Sequence, residues 1–255
     1  MTRSPVNRRD PSGTRKIERQ TTDRMGDLID AYTEAMTRVA VGIDEGQSVA
    51  RDTDAVDRDY KLLRLRDAME DDLQAVTKEW IEGTEEAAVK NTDRVLKNLH
   101  TDIKLGNVQV PREEATMLAI GIETNVRTVA DDLLKDVARI TAEGYQQGLG
   151  ADEIARRIRD DGDTVKWNAK RMVRTETMRI CDVVAKNRYE AAGCDGYYSF
   201  PTEDDRLCSQ CLAHATGGTG TKLKIYGRDE PLALPWHPNC RCARIPHFEG
   251  MELTL

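Results

Sequence analysis

Two short stretches near the C-terminus bring cysteine and histidine together at the spacing of metal ligands. They are LCSQC at 207–211 and HPNCRC at 237–242, in a protein that has only 6 Cys and 4 His. The candidate ligands are Cys208, Cys211, His237, Cys240 and Cys242. Two close ligand pairs on either side of a loop are typical of a four-coordinate zinc site. The pattern therefore predicts a bound Zn²⁺.

Five candidates compete for the four positions of such a site. Cys240 and Cys242 are two residues apart, and we expect their side chains to face opposite ways. The favoured ligands are Cys208, Cys211, His237 and Cys240, or the same set with Cys242 in place of one of the last two. Four protein ligands leave no position for water, which indicates a structural metal. Binding worth about 10–16 kcal/mol in zinc-finger peptides would stabilise a loop rich in Gly and Pro.

Disulfides and catalysis find little support in the sequence. The basic N-terminus has no apolar stretch behind it, so we predict no secretory signal, and a reducing compartment disfavours disulfides. The stretch GGTGTK at 217–222 lacks the Gly-Lys-Ser/Thr ending of a phosphate-binding loop. The motifs G-x-S-x-G and H-E-x-x-H do not occur. We therefore predict no enzymatic activity and no small-molecule substrate.

The helices that must position these residues are predicted by apolar residues at steps of three and four from Met25 onward. The clearest stripe is Leu118, Ile122, Val126, Val129, Leu133, Val137 and Ile140. A short helix at 152–159, a loop formed by DDGD and a helix at 164–192 are expected next. After Gly193 the pattern changes, and GYYSF and KLKIY are predicted strands.

These elements predict a mainly α-helical chain: a bundle of long helices followed by a small, β-rich, zinc-stabilised module, which is an α+β organisation. The predicted parts are a basic flexible arm at 1–24, a long-helix region at 25–150, a further helical part at 151–194 and the C-terminal module at 195–255.

Charge is distributed unevenly along the chain. The net charge is -7, yet residues 1–24 contain seven basic and three acidic residues. Candidate contacts to nucleic acid or another anionic partner are Arg3, Arg8, Arg9, Arg15 and Lys16. The acidic remainder argues against DNA binding over the whole surface, because phosphate contacts need Lys and Arg. No apolar run approaches the roughly 18–20 residues that span a bilayer, so no membrane partner is expected.

Several motifs occur in the order that is characteristic of one viral family. They are RMVRTETMRICDVVAKNRYEAAGCDGYYSF (171–200), DDRLCSQC (204–211) and LPWHPNCRC (234–242). Together they resemble the phage head morphogenesis family, the Mu F-like minor capsid proteins, over about residues 140–248. Besides the cysteines and His237, the matching motif residues are Arg174, Thr175, Glu176, Asp204, Asn239 and Arg241. The segment after Cys211 is longer than in typical relatives.

The resemblance implies a minor head protein of a tailed virus, located in the virion head near the portal vertex and assembled in the host cytoplasm. Its implied role is head morphogenesis and the packaging or ejection of DNA, with the portal protein or the major capsid protein as partner. DNA is a further expected partner through the N-terminal arm. The alternative is a zinc-finger DNA-binding or nuclease-like protein that uses the same ligand pairs.

Overall fold

The computed structural model describes residues 6–42, 53–99, 105–106, 108–230 and 232–253. Its elements are α1 (Arg15–Val41), α2 (Thr53–Asn98), α3 (Arg112–Gln146), α4 (Ala151–Ala191), β1 (Gly196–Phe200), α5 (Ser209–Thr216), β2 (Ile225–Gly227) and β3 (Ala243–His247). Four long helices and a small antiparallel sheet confirm the predicted mainly α, α+β class.

The N-terminal segment is folded over much of the length where we expected a flexible arm. Helix α1 begins at Arg15, ten residues before the predicted start, and Val6 and Thr14 are buried. The carboxylate of Asp10 accepts hydrogen bonds from the backbone N–H of Gly13, at 2.9 Å, and of Arg15. Polar residues that look like a solvated tail in the sequence thus form the turn that starts a helix. Arg3 lies outside the described residues.

Helix α4 is continuous through DDGD, where we expected a loop. Gly162 lies inside the helix, and a Cβ atom at this position would come within 2.8 Å of the Thr33 side chain. The glycine therefore permits close packing of α1 on α4 and does not end the helix. Gly83 likewise does not interrupt α2. The apolar stripe predicted for α3 is confirmed from Ile122 to Ile140 as buried.

The chain forms two compact units. Among the described residues, one unit contains 20–79 and 120–171, which are almost entirely helical. The other contains 6–19, 80–119 and 172–253, including the sheet. This division does not follow the predicted boundary near residue 194.

The unit that contains the sheet also includes the second halves of α2 and α4 for a physical reason. Three short strands bury too little apolar surface to fold alone. Strand β1 is the central strand, antiparallel to β2 and β3, with Tyr198 opposite Ile225 and Ile245. The predicted strand GYYSF is confirmed, whereas β2 starts only at Ile225. Buried side chains from both helices complete this core, among them Val95, Leu96 and Tyr189.

A buried ion pair connects α4 to β3 inside this unit. Arg244 Nε donates to Asp182 Oδ1 at 2.8 Å, with side chains that are 4% and 11% exposed. The same guanidinium donates to the Leu232 carbonyl oxygen and lies 4.5 Å from the centre of the Tyr197 ring. Burial raises the pKa of Asp182, while Arg244 acts in the opposite direction.

Replacing Arg244 with alanine leaves the Asp182 carboxylate buried without a counter-charge, and we expect the free energy of unfolding at pH 7 to fall by about 3–5 kcal/mol. Without Arg244 the pKa of Asp182 in the folded state lies further above its unfolded value. The loss of unfolding free energy caused by Arg244→Ala should therefore become smaller as the pH is lowered and larger as the pH is raised.

Denaturant unfolding of both proteins, at a series of pH values below and above 7, measures the difference in the free energy of unfolding. Arg228→Ala, which removes an exposed arginine of the same module, is the control, with an expected change within about 0.5 kcal/mol. A deficit that does not vary with pH would contradict a role for the charge pair.

Candidate metal centre

Cys208 and Cys211 are positioned by the first turn of α5. Cys208 is the N-cap residue of this helix, with φ -86° and ψ 157°, and its Sγ accepts a hydrogen bond from the Cys211 N–H at 3.4 Å. Residues at i and i+3 lie on the same face of a helical turn, so the two sulfur atoms point toward one centre. The helix ends at Gly217 in the left-handed conformation, which only glycine adopts without strain.

The second pair comes from a tight turn ahead of β3. The Cys240 N–H donates to the His237 carbonyl oxygen at 3.0 Å, and Asn239 adopts a left-handed φ of 66°. The side chains of Cys240 and Cys242 both lie with Cys211 in one buried cluster. The prediction that they face opposite ways is therefore wrong, because residues i and i+2 of an extended segment lie on the same face.

The ligand atoms form two triads that share Cys211. One contains Cys208, Cys211 and His237, the other contains Cys211, Cys240 and Cys242, and the atoms within each triad lie within 4.8 Å of one another. The Cys211 Sγ lies 3.1 Å from His237 Nε2 and 3.7 Å from Cys240 Sγ. A tetrahedral zinc with Zn–S bonds of about 2.3 Å has ligand atoms about 3.8 Å apart. The cluster can thus hold a metal ion.

The tautomer of His237 suits a metal ligand. Its Nδ1 lies 2.7 Å from the Pro238 carbonyl oxygen, which can only accept a hydrogen bond. With the proton on Nδ1, the lone pair of Nε2 points at the sulfur atoms of Cys208 and Cys211, the former at 3.2 Å. A hydrogen bond from the second ring nitrogen to a carbonyl is the usual support for a histidine that binds a metal.

The electrostatics of the thiols favour a cation between them. Hydrogen bonds from Cys211 and Cys242 lower the pKa of Cys240, and donation to Cys211 and Cys240 raises the pKa of Cys242. One thiolate is therefore stabilised by its neighbours, and a second one would be repelled in a buried space. A divalent cation would remove this repulsion, because it attracts every thiolate around it.

Motif residues that are distant in sequence meet beside this cluster. Arg241, between the two cysteines, donates two hydrogen bonds to the Asp204 carboxylate, at 2.5 and 2.7 Å. Arg174 Nη1 donates to Asn239 Oδ1 at 3.2 Å, and the Asn239 N–H donates to Thr175 Oγ1 at 3.2 Å. The helix α4 and the loop before α5 are thus both joined to the turn that carries His237 and Cys240.

Other sequence candidates lie elsewhere. Glu176 is buried and pairs with Arg179 on α4. Cys181 and Cys194, the two cysteines outside the cluster, are buried core residues. His214 stacks on Trp236, with ring centres 3.9 Å apart.

The ion pair between Arg174 and Glu18 was not predicted from the sequence. Arg174 Nε donates to Glu18 on α1 at 2.6 Å, so the N-terminal helix takes part in positioning the motif. Arg8, which we expected to contact a partner, instead pairs with Glu203 at 2.7 Å. No local sequence signal marks either contact, because the partners are 156 and 195 residues apart.

Comparison with protein-family models, curated proteins and solved structures finds no match to this chain. The resemblance to viral head proteins therefore remains a prediction from the motifs. Within the described ranges, none of the helices combines the length and apolar character needed to cross a membrane.

Asp204→Asn should weaken metal binding about tenfold, because an outer residue that orients a ligand-bearing segment contributes on this scale. The neutral amide keeps the shape of the side chain and removes the charge that holds Arg241. Competition with a chromophoric chelator, with Zn²⁺ as the probe ion, measures the affinity.

The matched control is Asp205→Asn, since Asp205 is the exposed neighbour and its loss removes the same charge. We expect unchanged affinity for this variant. Equal weakening by both substitutions would show that net charge, and not the Asp204–Arg241 pair, sets the affinity.

Proposed function

We propose that this chain is a minor head protein of a tailed virus with a structural and assembly role, and that a structural Zn²⁺ holds its C-terminal module together. The observation that carries the proposal is the meeting of the three motif segments. Residues 174–175 and 204–211, on which the resemblance rests, both contact residues 237–242 beside one cluster that could hold a metal ion. Chance similarity in separate segments gives no reason for such a meeting.

Within this proposal the ligands are Cys208, Cys211, His237 and Cys240. The first three form one triad, and the Cys240 Sγ lies at a tetrahedral edge length from the Cys211 Sγ. Cys242 is as buried as Cys240, and in this proposal it remains a thiol that donates to Cys240. The bound ion supplies a positive centre that joins the two chain segments, and it has no position for a substrate.

Serine variants of the cluster test this assignment. Cys211→Ser and Cys240→Ser are expected to lose the metal, since each removes a ligand, whereas Cys242→Ser should retain one zinc per chain. Cys181→Ser, which alters a buried thiol outside the cluster, is the control. Elemental analysis of the purified chains measures the stoichiometry. Retention of zinc by Cys211→Ser would contradict the proposed centre.

A rigid C-terminal module suits an assembly role better than a catalytic one. The polar residues around the cluster bond to one another. Arg241 forms an ion pair with Asp204, and Arg174 forms an ion pair with Glu18 and a hydrogen bond with Asn239. The long helices offer extended surfaces for a portal or capsid subunit. The proposed location is the virion head near the portal vertex.

Mass spectrometry of particles from the virus whose genome encodes this chain tests the proposed function. We expect the chain in purified heads at low copy number, with chemical cross-links to the portal protein or the major capsid protein. Its absence from heads would contradict the proposal. The alternative, a nuclease-like protein, predicts nicking of supercoiled plasmid by the zinc-loaded chain with Mg²⁺ or Mn²⁺, and we expect none.

A further inference from the structure

One cysteine of the cluster differs from the others in its exposure. All six cysteines of the chain belong to the residues that the structure describes, and Cys208 is the only one of them that is partly exposed. Cys211 is 4% exposed, and Cys240 and Cys242 are each 1% exposed. A reagent in solution therefore meets the sulfur atom of Cys208 before it meets any other thiol.

The space beside the cluster restricts access to the same atom. A pocket there is lined by Cys208, Cys211 and His237 among others, and its volume is about 20 Å³. This is room for about one water molecule. A larger reagent cannot enter far enough to contact the buried sulfur atoms, so its attack is confined to Cys208.

Helix α5 places Cys208 where a sulfur anion is stabilised. Cys208 caps the helix, and its Sγ accepts the hydrogen bond from the Cys211 N–H at 3.4 Å. In proteins that exchange thiols and disulfides, a Cys-x-x-Cys pair often lies at the start of a helix, and the cysteine that reacts is partly exposed. The sulfur atoms of Cys208 and Cys211 already lie within 4.8 Å of each other, so little movement is needed to join them.

We propose that Cys208 and Cys211 form a reversible redox pair, which is oxidised by a low-molecular-weight disulfide of the glutathione class. The Cys208 thiolate attacks one sulfur atom of the small disulfide, which gives a mixed disulfide and releases one small thiol. Cys211 then attacks the Cys208 sulfur atom, and the second small thiol leaves. Two cysteines are oxidised, and the small disulfide takes up their two electrons.

The protons balance in both forms of the chain. In the metal-free chain the two protons of the cysteine thiols end on the two small thiols. In the zinc-loaded chain the cysteines are thiolates, so Zn²⁺ leaves in place of the two protons and the solvent protonates the small thiols.

Oxidation of this pair should expel the metal, and this step rests on the proposed zinc centre. Both triads that could hold a metal ion contain Cys211, so a disulfide at Cys211 removes a ligand from each of them. A structural zinc site needs four protein ligands. The metal then no longer joins the loop before α5 to the turn that carries His237 and Cys240, and the metal content of the module follows the redox state of its surroundings.

Incubation of the zinc-loaded chain with oxidised glutathione tests the inference. We expect release of one Zn²⁺ per chain, measured with a chromophoric chelator, together with one internal disulfide. The remaining thiols are alkylated before digestion with trypsin. Cleavage after Arg206 and Lys222 gives a peptide in which Cys208 and Cys211 are the only cysteines, and cleavage after Arg241 separates Cys240 from Cys242. The peptide 207–222 should carry the disulfide, and reduction followed by added Zn²⁺ should restore the loaded chain.

Two variants and a second measurement sharpen this test. Cys208→Ser should lose its free thiols to oxidised glutathione about tenfold more slowly than the unchanged chain, because its remaining thiols are buried. The matched control, Cys242→Ser, removes a buried thiol outside the pair, and its rate should stay within about twofold of that of the unchanged chain. Limited alkylation of the unchanged, zinc-loaded chain needs no variant, and it should label Cys208 first.

A disulfide between any other two cysteines, or first alkylation at any other cysteine, would overturn the inference. Retention of Zn²⁺ by a chain oxidised at Cys208 and Cys211 would overturn the link between the pair and the metal. A purified chain that binds no zinc would contradict the proposed centre, whereas the mapped disulfide decides the redox pair by itself. The two failures are therefore distinguishable.

Discussion

Mutual repulsion between buried thiolates is the constraint on which the C-terminal module depends. Four cysteine sulfur atoms and one imidazole nitrogen form two triads with Cys211 in common, and each triad spans less than 4.8 Å. At such distances each thiolate raises the pKa of the neighbouring thiols unless a cation lies between them. The fold around the cluster is arranged accordingly: a helical turn presents one pair of sulfur atoms, a left-handed Asn239 reverses the chain, and the Asp204–Arg241 pair joins the two segments.

The remainder of this unit shows how a small sheet obtains a core. Strand β1 contributes three large buried aromatic residues, Tyr197, Tyr198 and Phe200, and the ends of α2 and α4 pack in the same core. The buried Asp182–Arg244 ion pair joins β3 to α4, and its geometry helps to fix the position of the strand on the helix. The module is therefore not independent of the helices, even though its candidate metal ligands all lie within 35 residues, from Cys208 to Cys242.

The N-terminal segment is where the structure differs most from the prediction. Composition indicated a disordered basic arm, yet Asp10 initiates a helix, and Glu18 and Arg8 make contacts to Arg174 and Glu203. Arg8 thus forms an ion pair within the chain, where we had expected a contact to another molecule. Charge counted along the sequence does not predict such pairs, because the two partners are more than 150 residues apart.

The sequence by itself determined the helical character, the stripe on α3, the strand GYYSF and the candidate ligand residues, because hydrophobic period and ligand spacing are local properties. The continuity of α4 through Gly162, the meeting of the two ligand pairs, and the contacts of Arg174 and Arg241 were decided only by the tertiary structure. Each depends on the approach of a distant segment: Thr33 against Gly162, Cys211 against Cys240, Asp204 against Arg241. Such approaches are set by the packing of the whole unit, which no window of neighbouring residues contains.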